Sequence, residues 1–225
     1  MQVVVNAATS VDGKLSTRRR EQVRISGPED FTRVDRLRAD SDAVLVGIGT
    51  VLADDPHLTL DDEDLRAERT ARNEPPSPAR IAVDSSGRTP LDARILDDAA
   101  RTHLLVSAAA TRERRAALAD AGAEIIVAGD EQVSLPAAFE ELAERGIERL
   151  LVEGGGEIIF SLFSAGLVDE LSLYVGSMVI GGRETPTLAD GPGFVGTFPD
   201  LSLRDVTRID DGVLLQYDVD GRGTA

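Results

Sequence analysis

Short apolar runs recur along this chain of 225 residues at spacings that suit strands and short helices. Val3–Val5 is β-branched and predicts a buried strand. Ala43–Val46 predicts a second, and Arg80–Asp84 a third that ends on a carboxylate. A repeating rhythm follows: strand His103–Ser107, helix Thr111–Ala121, strand Glu124–Ala128, helix Pro136–Arg145, strand Arg149–Val152, helix Ile158–Gly166. Near-continuous apolar strands alternating with helices argue for a largely parallel sheet flanked by helices. The end changes character. Glu170–Gly176, Leu201–Ile209 and Val213–Val219 alternate in the antiparallel manner, with Asp211-Gly212 as a hairpin turn. The expected class is α/β with a mixed sheet, parallel first and antiparallel at its C-terminal edge. No repeat and no linker is visible, so residues 1–225 read as a single domain.

Between these runs, Ser26-Gly-Pro-Glu-Asp reads as a helix start, with Ser26 as cap, Pro28 in the first turn and Glu29 and Asp30 on the dipole. That helix should reach about Arg38 and turn Phe31, Val34 and Leu37 to one face. From Ala53 to Ala79 the chain is acidic and punctuated by proline, which predicts a surface excursion, disordered or mobile over about 61–79. A short tail is expected at 220–225. The apolar stretch Leu171–Ile180 suits either the core or an interface strand.

Charge narrows the partners. Forty Asp and Glu face 24 basic residues, for a net charge of −16, and only one of the basic residues is a lysine, Lys14. This excludes a basic nucleic-acid surface and disfavours an anionic membrane. A GC-rich genome explains the missing lysine but not the acid excess. A salt-rich cytoplasm, which screens self-repulsion, explains the acid, so the composition points to a halophilic, archaeal source. There is no cysteine, hence no disulfide or thiolate. No run of about 18 apolar residues is present, and the N-terminus lacks a signal-peptide pattern. A cytoplasmic protein is expected.

Ligands of open α/β sheets bind outside the carboxyl ends of the strands. Three such ends carry glycine or polar residues: Gly47–Thr50, Val83–Ser86 and Val152–Gly156. Gly154, Gly155 and Gly156 lie between a strand and a helix, where backbone N–H groups make an anion site, with Glu153 just before them. The pattern is neither GxGxxG nor GxxxxGK[ST]. Two histidines, His57 and His103, and no cysteine give no support to a metal site, and His103, inside a strand, reads as structural. The one retained lysine, in Asp12-Gly13-Lys14, suits a proton donor or a point-charge contact.

Together, Ala8–Lys14 (ATSVDGK), Val46–Pro56 (VGIGTVLADDP), His57–Thr59, Val83–Ser85, Val152–Gly156 (VEGGG) and Gly166–Glu170 resemble the riboflavin-biosynthesis reductase family. That family comprises archaeal 2,5-diamino-6-ribosylamino-pyrimidinone 5′-phosphate reductases and the reductase half of the bifunctional bacterial deaminase-reductase. The resemblance covers residues 3 to about 219 and suggests the stand-alone archaeal form. It implies a dihydrofolate-reductase-like fold, an NADPH-dependent reductase (NADH being the alternative donor) and a homodimer. By motif match it puts Gly47, Thr50, Asp54, Val83, Asp84, Ser85, Ser86 and Glu153–Gly156 on the cofactor. It puts Asn6, Asp12, Lys14, Ser26 and the His57-Leu58-Thr59 segment on the phosphorylated pyrimidine substrate. Where relatives carry Arg, this chain has His57, and it has Leu60 and Asp61 where many carry a basic residue. Arg33, Arg36 or His57 is therefore expected to take the substrate phosphate.

The implied chemistry is hydride transfer to C1′ of the former ribose, giving a ribitylamino product. Lys14 is expected to donate the proton or orient the substrate, with Asp54 and Glu153 as carboxylates near the reacting centre and no metal. Arg88 and Arg183 are candidates for a 2′-phosphate. Two other readings fit the class less well: another reductase of dihydrofolate-reductase-like fold, and a non-catalytic nucleotide-binding module.

Overall fold

The computed structural model describes residues 1–220. In chain order the elements are β1 (Gln2–Ser10), α1 (Pro28–Ala39), β2 (Ala43–Gly47), α2 (Ile48–Asp54), α3 (Glu63–Ala71), β3 (Ala79–Val83), a 3₁₀ turn (Arg94–Leu96), β4 (Thr102–Val106), α4 (Arg112–Asp120), β5 (Ala123–Val127), α5 (Leu135–Glu144), β6 (Arg149–Gly154), α6 (Gly156–Ser164), β7 (Glu170–Gly176), β8 (Asp200–Ile209) and β9 (Gly212–Asp220). Of the expected tail, Asp220 closes β9, and 221–225 lie outside the described residues. Contacts divide the chain into two compact units, Met1 with Asp35–Leu151, and Gln2–Val34 with the residues from Val152 onward. The chain passes from one unit to the other inside α1 and inside β6, which is why no linker is visible in the sequence.

The first unit is built on parallel strands in the order β5-β4-β3-β2, followed by the first half of β6. Val44, Leu45, Val46, Ile81, Leu104, Leu105 and Val106 are all at most 1 % exposed, so β2, β3 and β4 are covered on both faces. The expected excursion at 61–79 is instead anchored by α3. The Asp62 carboxylate caps it, accepting from the N–H groups of Asp64 and Leu65, and Glu63 and Asp64 complement the first turn. Leu65 packs with Leu60 and Ala39. One turn on, Arg69 is buried and donates to the carbonyls of Ala39, Ser41 and Pro75. Acidity there marks a helix start, not disorder.

The second unit carries β1-β7-β9-β8, with β1 and β7 parallel and both β7–β9 and β9–β8 antiparallel, so the sheet is mixed as expected. β7 is hydrogen-bonded on both sides and Leu171 and Tyr174 are buried, which places the β7 part of the apolar stretch in the core. Past the end of β7 Val179 is exposed, and β8 also turns Leu201, Leu203 and Val206 to solvent. Ser26 is buried and does not cap α1. Asp210, at the tip of the β8–β9 hairpin, does so, accepting from Glu29 N–H (3.2 Å) and Asp30 N–H (3.1 Å). A Cβ at residue 27 would strike the Asp210 carboxyl group, so Gly27 is needed for this approach. The inward face of α1 is also not the expected one. Phe31 is 52 % exposed beneath the Arg24 guanidinium, while Asp30 and Asp35 are buried.

Two outcomes follow. Asp210→Ala should lower unfolding stability by about 0.5–2 kcal/mol, while Asp210→Asn, an equally good cap, retains it and Ser26→Ala changes it little; denaturant titration in molar KCl reads all three. His103 is 1 % exposed, and burial lowers its pKa below 6.5, with Glu124 only partly opposing. The unfolded chain therefore takes up the proton first, so this contribution is complete above about pH 6.5 and declines as pH falls below it. His103→Gln should flatten that part of the stability profile. An unchanged slope would show that His103 does not produce it.

Candidate active site

Lys14 follows a tight turn at the end of β1. Gly13 takes φ +76°, Ser10 N–H bonds the Lys14 carbonyl (2.9 Å), and Lys14 N–H bonds Ser10 Oγ (3.0 Å). Beyond the turn the half-buried Lys14 forms an antiparallel bridge to Thr187, and its Nζ lies 3.4 Å from the Thr185 carbonyl. The backbone thus fixes the base of the side chain, and one carbonyl steadies the ammonium.

Asp12, expected on the substrate, points its carboxylate into the protein's own backbone. It accepts from Ser10 Oγ (2.6 Å), Ile180 N–H (3.0 Å) and Gly181 N–H (2.8 Å). The Ser10 hydroxyl first, and then these amides, hold its pKa down to about 2. Asp12 is accordingly the tether of segment 177–199, which runs without helix or strand from β7 to β8. The same segment reaches the glycine loop: Asp190 N–H bonds the Gly156 carbonyl (3.0 Å), and a Cβ at Gly156 would collide with the Thr187 carbonyl. Gly154 sits at φ +139°, Gly154–Gly155 is a cis peptide, and no side chain caps α6 at Gly155. Gly155, at the N-cap of α6, has no side chain with which to accept from the leading N–H groups. Glu153 precedes this turn, half-buried near the end of β6.

Arg33 does not present a free guanidinium. Nε donates to Asp30 Oδ1 (2.8 Å), Nη1 to Ser172 Oγ (2.9 Å) and Nη2 to Asn6 Oδ1 (2.8 Å), and the side chain is 18 % exposed. Arg36 is paired with Glu68 through two hydrogen bonds; these raise the Arg36 pKa and lower that of Glu68. Two of the three groups expected on the substrate phosphate are therefore occupied by the protein.

The third, His57, is also engaged. Its Nε2 lies 2.6 Å from Asp97 Oδ2, and Nδ1 lies 3.4 Å from Thr59 Oγ1. Asp97 is in turn held by Arg80, whose Nη1 donates to Oδ1 at 2.7 Å. Burial pushes the Asp97 pKa up, but hydrogen bonds from Arg80 and His57 outweigh it and hold it at about 2. Leu58 is buried at φ +54°, and Arg38 donates to the Thr59 carbonyl. The His57-Leu58-Thr59 segment is thus pinned at every residue.

In the first unit the strand register aligns Gly47 with Val83, so the expected cofactor residues of β2 and β3 lie at the carboxyl ends of neighbouring strands. Gly47 leads into α2, Thr50 is half-buried in its first turn, and Asp54 ends it, half-buried. Asp84 is fully buried: Oδ2 accepts from Thr89 N–H and Thr89 Oγ1, both at 2.7 Å, while Oδ1 has no partner. Its carboxylate closes the 84–89 loop. The Ser85 carbonyl accepts from the N–H and hydroxyl of Ser107, and Ser85 Oγ accepts from Val133 N–H. Ser86 and Arg88 stand exposed beyond them, and among the described residues no carboxylate pairs with Arg88.

Sequence reasoning missed Asp97, Asp210 and the return of segment 177–199 onto Lys14 and Gly156. Nothing local marks them, because every partner is far along the chain. Among the described residues no group of three His, Asp or Glu side chains is arranged to hold a metal ion.

An Archaeoglobus fulgidus protein named 2,5-diamino-6-ribosylamino-4(3H)-pyrimidinone 5′-phosphate reductase is 49 % identical over 210 residues, 93 % of this chain and 94 % of that one. A pyrimidine reductase-like protein from Corynebacterium diphtheriae superposes with a TM-score of 0.85 at 20 % identity, over 97 % of this chain and 91 % of that one. Dihydrofolate reductase from Enterococcus faecalis superposes at 0.50 and 11 % identity, over 98 % and 97 %, which bears out the dihydrofolate-reductase-like fold. Residues 1–215 match the model of the RibD C-terminal domain, and the chain belongs to that family.

Proposed function

We propose that this chain is the NADPH-dependent reductase that converts 2,5-diamino-6-(ribosylamino)-4(3H)-pyrimidinone 5′-phosphate to its ribitylamino product in riboflavin biosynthesis, in the cytoplasm. The observation that carries this reading is the 49 % identity to a reductase of that name across nearly the whole of both chains. The retained Lys14, fixed by its turn and by Thr185, is the second support.

The first unit suits a dinucleotide phosphate. Exposed Arg88 stands beyond the β3 edge without a carboxylate counter-ion, in a chain of net charge −16. A cation left uncompensated there favours a 2′-phosphate, hence NADPH over NADH. Ser86 and the backbone at Gly47 would hold the neighbouring diphosphate and ribose. When bound, the cofactor supplies a hydride from C4 of its nicotinamide.

The residues of this chain handle the proton and the charge. In the substrate the C1′–O4′ bond of the ribose opens and O4′ takes a proton, leaving an imine between C1′ and the exocyclic nitrogen. C1′ accepts the hydride, and the nitrogen gains the electron pair of the former double bond and a proton. Lys14 Nζ is the proposed donor of that proton, and Asp54 and Glu153 are the proposed stabilisers of the cationic imine. The balance is one substrate, one NADPH and one proton to one product and one NADP⁺. The substrate phosphate meets no uncommitted Arg33, Arg36 or His57, so backbone N–H groups or displacement of one of these pairs must hold it.

A homodimer through the β8–β9 hairpin completes the proposal. β8 is an edge strand with Leu201, Leu203 and Val206 open to solvent, an arrangement that invites pairing with another chain. Among the described residues no helix is long and apolar enough to cross a membrane.

In molar KCl, NADPH consumption should require the ribosylamino-pyrimidine phosphate; oxidation with dihydrofolate but not with this substrate would overturn the proposal. Lys14→Met should lower kcat by roughly 100-fold or more with an unchanged unfolding midpoint. Arg88→Ser should raise KM for NADPH by roughly tenfold or more and leave that for NADH unaltered. Equal effects on both cofactors would remove Arg88 from 2′-phosphate recognition.

A further inference from the structure

We infer that Arg33 is a positioning residue that fixes the amide of Asn6, so that Asn6 offers its NH₂ group to a carbonyl oxygen of the bound ligand. The inference rests on the reductase reading above and lies wholly within the second unit. Asn6 and Ser172 are register partners on the parallel strands β1 and β7, so their side chains share a face. Arg33, from the first half of α1, reaches both, with Nη2 on Asn6 Oδ1 (2.8 Å) and Nη1 on Ser172 Oγ (2.9 Å). Asp30 holds the guanidinium from the other side, 2.8 Å from Nε and 2.7 Å from Nη2.

The polarity of the Asn6 amide follows from chemistry and not from its assigned orientation. A guanidinium has five donors and no acceptor, so the amide group facing it must be the oxygen. With Oδ1 turned to Arg33, the two N–H bonds of Nδ2 point elsewhere. Among the described residues nothing accepts from Nδ2, and it is not among the sealed, unsatisfied polar atoms. Asn6 itself is only 7 % exposed. A nearly buried amide with its oxygen locked and its nitrogen unpaired is a prepared donor. It matches a carbonyl oxygen, which both the pyrimidinone ring and the nicotinamide carboxamide carry. Arg33 thus acts through Asn6, where a direct phosphate contact was expected of it.

Arg33→Met leaves Asp30, 2 % exposed, without its partner and risks misfolding, so Asn6→Asp is the central variant. It keeps an oxygen toward Arg33 but replaces the two donors by a second acceptor. The unfolding midpoint in molar KCl should be equal or higher. A steady-state KM for the pyrimidine substrate raised by roughly 100-fold, with kcat changed far less, identifies the ring carbonyl. The same loss seen only in NADPH affinity, read by cofactor fluorescence, identifies the carboxamide. Arg33→Lys, which keeps a cation beside Asp30 but cannot make all three contacts, should shift the same parameter in the same sense by a smaller factor. Wild-type affinity for both ligands in Asn6→Asp overturns the donor role, and a clearly lowered midpoint overturns the assigned amide orientation. A wild-type protein that oxidises no NADPH with the pyrimidine, beside an Asn6→Asp variant of undiminished stability, would instead refute the reductase reading and leave the orientation standing.

Discussion

The guanidinium of Arg80 on β3 has no solvent exposure, and all five of its N–H groups find acceptors. Nε takes Thr102 Oγ1, Nη1 takes Asp97 Oδ1 and the Arg94 carbonyl, and Nη2 takes the carbonyls of Asp97 and Ala100. A buried cation is tolerated only under such complete satisfaction. The geometry fixes the irregular chain from the 3₁₀ turn to the start of β4, and it presents Asp97 to His57. Removing Arg80 would leave several carbonyls and a carboxylate unpaired, which costs far more than the net worth of any one of these bonds. Through Asp97, the His57-Leu58-Thr59 segment rests on this one side chain.

The same device recurs with different partners. Arg69 gathers the carbonyls at the end of α1 and at Pro75, and Arg33 ties α1 to the strands beneath it. A planar, forked donor can join several segments at once, which a point-charge ammonium cannot. In this acidic chain these three arginines therefore act as internal ties and not as surface cations. Attraction for phosphorylated ligands must come from cations without a carboxylate partner, such as Arg88, and from backbone N–H groups.

The alternation of apolar runs with helix-start signals was enough to place the parallel strands, and β7 was readable to the residue. What escaped were elements whose signals pointed two ways. The acidic stretch around Asp62–Asp64 reads as a solvated excursion by composition and as a capped helix by position, and only the burial of Leu65 and Arg69 decides between them. Ser26 had the right chemistry for a cap, but Asp210 occupies the place from the far end of the chain. For the site, the residues were legible and their partners were not. Asp12, Arg33 and His57 stood out as polar groups in recognisable segments, yet each is committed to a group that lies between 27 and 169 positions away, as the contacts Arg33–Asn6, His57–Asp97 and Asp12–Gly181 illustrate. No local pattern encodes such pairings, because they are set by the topology of the sheet.

Lys14 has a chemical corollary that the near absence of lysine creates. It is the chain's only side-chain primary amine, so amine-directed reagents meet it and the α-amino terminus and nothing else. Acylation, reductive methylation or isotope-labelled carbamylation would report on a single interior position without any engineered handle. Protection of that amine by a bound molecule is then a direct gauge of occupancy.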